Sequence, residues 1–156
     1  MTDELGKRPG GLTALAVLNF VFGALEVFGA FGLGFLLAVR NDWVPIKNPE
    51  ARSKMLQPVA GADDLVLQVL IVVIAVKAAL LVLSGFGYLR QKRLLGRGIG
   101  SVYALTAIVY AIGVPLWLGD RGGERFAFSL ASIVWLLHPL LTLVLVNGTF
   151  KEDFVR

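Results

Sequence analysis

Apolar residues along the chain are gathered into four long runs, and charged segments separate the runs. The bounding charges are Arg8 and Arg40, Asp64 and Arg90, Arg97 and Asp120, and Arg125 and Lys151. About 20 predominantly apolar residues, at about 1.5 Å of helix per residue, cross a hydrocarbon core of about 30 Å. The pattern therefore predicts four membrane-spanning helices, at about residues 12–38, 65–88, 98–118 and 127–147.

These consecutive spans predict one all-α membrane domain over residues 1–156, a four-helix transmembrane bundle of up-down-up-down topology. The segment LRQKRLLGRG at 89–98 decides its orientation, because it is rich in basic residues and contains no acid. Such segments concentrate on the cytoplasmic side. The predicted cytoplasmic and outer sides contain similar total numbers of basic residues. The prediction therefore depends on how closely basic residues follow one another in the segment at 89–98. We expect both termini to be cytoplasmic.

One connection is long, the outer loop at 40–63. Asn48 is a predicted N-cap and Pro49 a predicted first helical residue, so the loop should contain a short surface helix at about 49–57. Beyond the fourth span, Phe150 and Phe154 are spaced as on one helical face. We expect this tail to rest on the inner membrane surface, with docking of a partner as the alternative.

Composition agrees with a membrane protein. The chain is 56% hydrophobic and only 17% charged, with a mean hydropathy of +0.75. A soluble domain of this length could not hide so much apolar surface. The absence of cysteine excludes disulfides, thiolate metal sites and cysteine nucleophiles.

The net charge of +4 does not indicate nucleic acid binding, because the basic residues flank apolar runs and form no stripe with interleaved aromatics. An anionic lipid surface at the cytoplasmic face is the better interpretation. The predicted lipid-contact residues are Arg90, Lys92, Arg93 and Arg97.

Three ionisable side chains, Glu26, Lys77 and His138, lie near the middle of the first, second and fourth runs. A charge at the centre of a membrane helix costs about 2.5–3.5 kcal/mol. Consecutive spans are neighbours and antiparallel by default, so opposite charges at equal depth can meet. We predict that all three groups share one depth and that Glu26 forms an ion pair or hydrogen bond with Lys77.

Each span also carries a stripe of polar or small residues at helical spacing. The stripes contain Asn19, Gly23, Glu26 and Ala30; Lys77, Ser84 and Tyr88; Tyr103, Thr106 and Tyr110; and Ser132, Trp135, His138 and Thr142. Turned inward, they predict a polar bundle interior with lipid-facing apolar side chains outside. The predicted intramembrane polar layer consists of Glu26, Lys77, His138, Tyr103, Thr106 and Tyr110.

Two interpretations of this layer stay open. In the first, the pair fixes helix register, and His138 is a neutral imidazole hydrogen-bonded to a tyrosine or threonine. In the second, the groups bind an ion or relay protons. Small residues at small-xxx-small spacing are compatible with a tight bundle or with a dimer.

Enzyme signatures are scarce. The GRGIG segment at 96–100 follows a basic loop and no strand, unlike a phosphate-binding glycine run. Asp63 and Asp64 are better interpreted as caps of the second span than as a catalytic pair. A single histidine without HExxH or GxSxG motifs predicts no catalytic residue, no metal and no cofactor.

The segments LTALAVLNFVFGALE, SGFGYLRQKRLLGR and NGTFKEDF resemble a loosely defined group of bacterial four-helix membrane proteins without an established activity. The resemblance implies the same topology and the bacterial inner (cytoplasmic) membrane. We expect a non-enzymatic multi-pass accessory or assembly subunit, in a homo-oligomer or a larger complex, that acts through helix and loop contacts. The alternative is a channel or transporter component for an ion, a proton or a small solute, which would use Glu26, Lys77 and His138.

Overall fold

A computed structural model of the chain describes residues 10–118 and 130–154, and helices make up most of both ranges. The α-helices are α1 (Gly10–Arg40), α2 (Pro49–Leu56), α3 (Asp64–Leu89), α4 (Ile99–Leu118) and α5 (Leu130–Val144). Two π-helical segments, Arg93–Gly98 and Leu145–Thr149, lead into α4 and continue α5. No strand occurs within the two ranges, so the prediction of an all-helical fold is confirmed there.

Three helical stretches of the described residues are long and apolar enough to cross a membrane. They are α1, α3 and the stretch Arg93–Leu116, which joins the first π-helical segment to α4. These stretches coincide with the first three predicted spans. The fourth predicted span is helical from Leu130 onward, and its beginning at 127–129 lies outside the described residues.

Many large apolar side chains on these helices are exposed. Phe28 and Phe31 on α1 and Leu116 on α4 are each 74% exposed, and Leu65 and Val109 are each 70% exposed. Proteins in water rarely expose apolar surface on this scale, whereas lipid-facing side chains do so without penalty. The exposed faces therefore fit a lipid environment.

Helices α1 and α3 pack side by side in opposite directions. Three polar contacts join them at successive levels, between Arg40 and Asp64, between Glu26 and Lys77, and between Asn19 and Ser84. Residue numbers fall along α1 as they rise along α3, which defines an antiparallel pair. Gly23 keeps the helices close, because a β-carbon there would lie 3.3 Å from Val82 Cγ2.

The connection between α1 and α3 is tied to the ends of both helices. The Arg40 guanidinium pairs with Asp64 Oδ1 at 3.0 Å and donates to the backbone carbonyl of Ala62. Arg52 on α2 donates to the carbonyls of Val39 and Arg40 at 3.3 and 3.2 Å. These carbonyls have no partner inside α1, so Arg52 caps the helix end.

Helix α2 is the surface helix predicted at 49–57, and it ends one residue earlier, at Leu56. Asn48 Oδ1 accepts hydrogen bonds from the backbone N–H groups of Glu50 at 3.0 Å and Ala51 at 3.2 Å. The predicted N-cap is therefore confirmed, and it satisfies two donors that the first helical turn leaves free.

The prediction that Asp63 and Asp64 cap α3 is wrong for their side chains. Asp63 occupies the N-cap position but makes no side-chain capping hydrogen bond. Asp64 lies in the first turn and pairs with Arg40. Asp64 is the first residue of α3, and its carboxylate reaches the Arg40 guanidinium at the end of α1.

The segment between α3 and α4 is more helical than the sequence predicts, since helical structure resumes at Arg93 within the expected loop. The backbones of α3 and of this segment meet at Gly87 and Gly96, where a β-carbon on Gly87 would lie 2.6 Å from Gly96 Cα. Only glycine permits so close an approach. Packing against α3 therefore holds Arg93–Gly98 in its helical form.

The end of the chain corrects the prediction for the tail. The chain turns after Phe150, and Phe154 is only 6% exposed. The Phe154 ring lies 6.0 Å from the Tyr88 ring between centroids and rests against Gly96, while Phe150 rests against Gly11. The rings pack against glycines of two different segments, so the prediction that Phe150 and Phe154 lie on one helical face is wrong.

Candidate functional site

Glu26 and Lys77 lie opposite each other where α1 packs on α3. Lys77 Nζ donates to Glu26 Oε1 at 2.6 Å, and the two residues are 8% and 5% exposed. The predicted contact is therefore present. It offsets the cost of placing either charge alone among apolar groups, which is about 2.5–3.5 kcal/mol per charge at the centre of a membrane helix.

Tyr110 completes the surroundings of Lys77. Lys77 Nζ lies 4.3 Å from the centroid of the Tyr110 ring, within the range of a cation–π interaction. Such an interaction is worth about 2 kcal/mol when the cation is desolvated. Helix α4 is thereby tied to α1 and α3 through one ammonium group, and we call Glu26, Lys77 and Tyr110 the ion-pair group.

A second group of polar side chains connects α1, α3, α4 and α5. The Tyr103 hydroxyl lies 3.1 Å from His138 Nδ1, and His138 Nε2 lies 3.1 Å from Asn19 Oδ1. Asn19 Nδ2 donates to Ser84 Oγ at 2.7 Å, and the Ser84 hydroxyl donates to the Leu81 carbonyl at 3.0 Å. We call this unbroken series the hydrogen-bond chain.

The Ser84 hydroxyl donates to the Leu81 carbonyl, so its oxygen accepts from Asn19. This bond determines which atom donates in the other bonds of the hydrogen-bond chain. Because Asn19 directs its NH₂ group to Ser84, its carbonyl oxygen faces His138 and accepts there. His138 therefore carries its proton on Nε2, and its Nδ1 accepts from the Tyr103 hydroxyl. One neutral imidazole satisfies both neighbours, which is the arrangement expected if the histidine is structural.

His138 lies at a different level from the ion-pair group. It bonds to Asn19, and its ring stacks on Phe22 with centroids 4.2 Å apart and the planes 23° from parallel. Both residues precede Glu26 on α1 by one to two helical turns. The prediction that Glu26, Lys77 and His138 share one depth is wrong, because equal spacing between bounding charges does not fix how far α5 is shifted along α1.

Thr106 joins neither group. Thr106 is half-buried, and its hydroxyl donates to the Val102 carbonyl of its own helix at 2.8 Å, so it needs no partner on another helix. Trp135 is 44% exposed and contacts Phe22 at the ring edge, with centroids 5.5 Å apart. The prediction that Trp135 faces inward is wrong, because an indole tolerates an exposed apolar face.

Asn19 and Ser84 belong to the stripes predicted to turn inward, and both are fully buried in the structure. The contact between them was not predicted. A signal for them is present in the sequence. Asn19 precedes Glu26 by seven residues, and Ser84 follows Lys77 by seven. In an antiparallel pair, equal steps in opposite directions bring side chains to the same level, so the Glu26 and Lys77 contact implies the Asn19 and Ser84 contact.

The four predicted lipid-contact residues lie around the connection from α3 to α4. Arg90 occupies the C-cap position of α3, and Arg90, Lys92 and Arg93 are exposed. Arg97 is half-buried, and its Nε donates to Asn147 Oδ1 at 3.1 Å. Three of the four are therefore free to face a charged surface, and Arg97 is held by the end of α5.

The two groups bring donors, acceptors and one ion pair together without a metal-ligand set. Across the described residues, no cluster of three or more His, Cys, Asp or Glu side chains could hold a metal ion. What the arrangement can do is join helices through buried polar contacts, and its hydroxyls and imidazole can carry protons.

Comparison of the chain with protein-family models, with curated proteins and with solved structures gives no match. The resemblance to bacterial four-helix membrane proteins therefore rests on the three quoted segments. Function has to be argued from the geometry of this chain.

Proposed function

We propose that the chain is an integral protein of the bacterial inner membrane that crosses it four times, with both termini cytoplasmic. Three stretches are long and apolar enough to cross. Helix α5 and its π-helical continuation contribute 15 and 5 residues, enough for about 30 Å. The basic connection between α3 and α4 supports the orientation.

Within that membrane, we propose a non-enzymatic accessory or assembly subunit that acts through helix and loop contacts. The observation that carries this proposal is that the ionisable groups of the interior pair with side chains of neighbouring helices. Glu26 pairs with Lys77, and both ring nitrogens of His138 are occupied. Groups that bind or transform a substrate keep donors or acceptors directed at it, whereas these are directed at neighbouring helices.

The exposed face of α1 is the proposed contact surface. Phe28, Phe31 and Phe35 follow one another at helical spacing and are 74%, 74% and 45% exposed. Aromatic side chains supply large and rigid contact areas and are enriched in protein interfaces. A helix of a second membrane protein, or of a second copy, would fit this face.

Replacing Phe28 and Phe31 together by alanine is expected to remove a co-purifying membrane protein that the unchanged chain retains in mild detergent. The measurement is quantitative mass spectrometry of affinity-purified complexes from host membranes. Leu65→Ala with Val109→Ala is the matched control, because it shortens two equally exposed side chains on other helices. Equal loss in both variants, or an unchanged chain that retains no protein, would contradict the proposal.

A proton channel or transporter component is the second candidate, and the hydrogen-bond chain favours it. The chain runs from Tyr103 through His138 across the helices, and hydroxyls and imidazoles pass protons. The buried hydroxyls of Tyr88 and Thr142 also lack a hydrogen-bond partner in the described ranges, so water could bind there. Asn19 interrupts the route, since a carboxamide does not ionise, and this candidate therefore ranks second.

Proteoliposomes with an imposed pH gradient separate the two candidates. The unchanged protein is expected to dissipate the gradient no faster than protein-free liposomes, because its polar groups are committed to each other. Fluorescence of an entrapped pH-sensitive dye gives the rate. A faster rate that Glu26→Gln or His138→Gln abolishes, and that Glu50→Gln on the exposed surface helix preserves, would favour transport and reject the accessory role.

A further inference from the structure

An open cleft lies between the π-helical segment at the start of α4 and the end of α5. Its volume is about 510 Å³, and its lining residues are Arg93, Leu94, Arg97, Gly98, Ser101 and Asn147. Clefts of about 300–1,000 Å³ accommodate small ligands. Two of the lining side chains are cationic and none is acidic, so an anion is the ligand that the lining favours.

Asn147 holds Arg97 in a defined orientation. Its Oδ1 accepts from Arg97 Nε at 3.1 Å, while its Nδ2 donates to Ser101 Oγ at 2.9 Å and to the Leu143 carbonyl at 3.0 Å. The terminal NH₂ groups of Arg97 make no hydrogen bond in the described part of the chain. Ser101 accepts from Asn147 and therefore keeps its own proton to donate.

The charge at the cleft is not neutralised by the protein. Neither Arg93 nor Arg97 pairs with a carboxylate within the ranges that the structure describes, whereas Arg40 and Arg52 each pair with an aspartate. A guanidinium offers parallel N–H groups that match two oxygens of a phosphate. Two guanidinium groups without a carboxylate partner and a hydroxyl at one cleft therefore form a set of donors suited to a phosphate.

Leu94 adds an apolar element to the same cleft. It is 78% exposed, and it follows Arg93 directly in the π-helical segment. At a membrane surface, an apolar side chain enters the acyl region while neighbouring arginines stay with the phosphates. This combination fits a lipid better than a soluble anion.

We infer that this cleft binds the phosphate of one anionic phospholipid, with Arg93, Arg97 and the Ser101 hydroxyl as donors. The inference deepens the proposed function and rests on its placement of the cleft at the cytoplasmic membrane surface. It goes beyond general attraction of basic residues to lipid, because Asn147 orients one arginine. A lipid bound there would also bridge α4 and α5.

Native mass spectrometry of the protein in a neutral detergent, titrated with dioleoyl phosphatidylglycerol, tests the inference. The unchanged chain is expected to retain one phosphatidylglycerol molecule and to bind dioleoyl phosphatidylcholine more weakly. Arg97→Gln should weaken phosphatidylglycerol binding about tenfold or more, because a charge-assisted bidentate contact is lost. Lys151→Gln removes one exposed positive charge beyond the end of α5, outside the cleft lining and outside the predicted lipid-contact residues, and it should weaken binding less than about twofold.

Equal weakening by Arg97→Gln and Lys151→Gln would show diffuse charge attraction and overturn the site. Displacement of the lipid by millimolar inorganic phosphate would assign the site to a soluble anion and overturn the lipid assignment. If Arg97→Gln fails to fold, Arg97→Lys keeps the charge but loses the fork, and wild-type affinity in that variant would equally overturn the inference.

A labelling experiment separates failure of this inference from failure of the proposed topology. Lys92→Cys, placed in a chain without other cysteines, is expected to react with an impermeant maleimide from the cytoplasmic side only. Reaction from the other side would reject the topology and leave the detergent measurement of the cleft standing. The labelling experiment therefore tests the topology, and the lipid titration tests the cleft independently of it.

Discussion

Lys77→Met lowers the free energy of unfolding by about 3–5 kcal/mol, because it leaves the buried Glu26 carboxylate without its partner. The cation–π contact with Tyr110 is lost in the same step. The measurement is unfolding in mixed micelles of mild detergent and dodecyl sulfate, followed by circular dichroism. Lys54→Met on the exposed surface helix is the matched control and should change stability by less than about 0.5 kcal/mol.

The double variant Glu26→Leu with Lys77→Leu should be more stable than Lys77→Met and within about 2 kcal/mol of the unchanged chain. Apolar side chains of similar volume replace a desolvated pair without leaving a buried charge, while the cation–π contact with Tyr110 is still lost. A double variant more stable than Lys77→Met would show that the loss of stability in Lys77→Met comes from the unpaired Glu26 carboxylate. A double variant as unstable as Lys77→Met would contradict that assignment and point to packing around the pair. The proposed structural role predicts that partner retention follows stability across these variants.

Gly87→Ala is expected to destabilise the protein by about 3 kcal/mol or more, the upper end of the cost of overpacking. The new β-carbon would lie 2.6 Å from Gly96 Cα and closer still to the Gly96 nitrogen and the Leu95 carbonyl carbon. Backbone atoms cannot rotate away as a side chain can. The end of α3 and the segment Arg93–Gly98 would have to separate, which the same unfolding assay measures.

Alanine substitutions at two other glycines provide comparisons for the destabilisation expected in Gly87→Ala. Gly96→Ala meets the Phe154 ring, which can rotate, so a smaller loss of about 1–3 kcal/mol is expected. Gly113→Ala meets nothing within 4 Å and should be neutral or stabilising by up to about 1 kcal/mol, since alanine is the better helix former. If Gly87→Ala and Gly113→Ala behave alike, the close packing of α3 on the π-helical segment is refuted.

The contact between Glu26 and Lys77 could be predicted from sequence because two strong constraints act together. A charged side chain among apolar groups needs a polar partner, and consecutive antiparallel spans offer it only a few neighbours at the same depth. The same two constraints, applied seven residues further along, would also have predicted the contact between Asn19 and Ser84. The N-cap at Asn48 could also be predicted from sequence, because the Asn48 side chain bonds only to the first turn of the helix that follows it.

Contacts between helices distant in sequence could not be predicted in the same way. His138 contacts Asn19 and Phe22 because α5 is shifted along α1. Neither the positions of the charges nor the spacing of polar residues in the sequence predicts that shift. Arg97 binds Asn147 on another helix, although the sequence suggests a surface charge and a helix end. Phe154 reaches Tyr88 only because Gly96 leaves a hollow.

Hydrophobic patterning by itself determined that the chain is helical, where three helices long and apolar enough for a membrane lie, and which buried charges must pair. The first two properties follow from solvation, which acts on each segment separately, and the pairing follows from the antiparallel packing of consecutive spans. Only the tertiary structure decided the position of His138 along α1, the burial of Phe154 and the cleft lined by Arg93 and Arg97. Those depend on how side chains of distant segments fit together, and shape complementarity is a property of pairs that no single segment encodes.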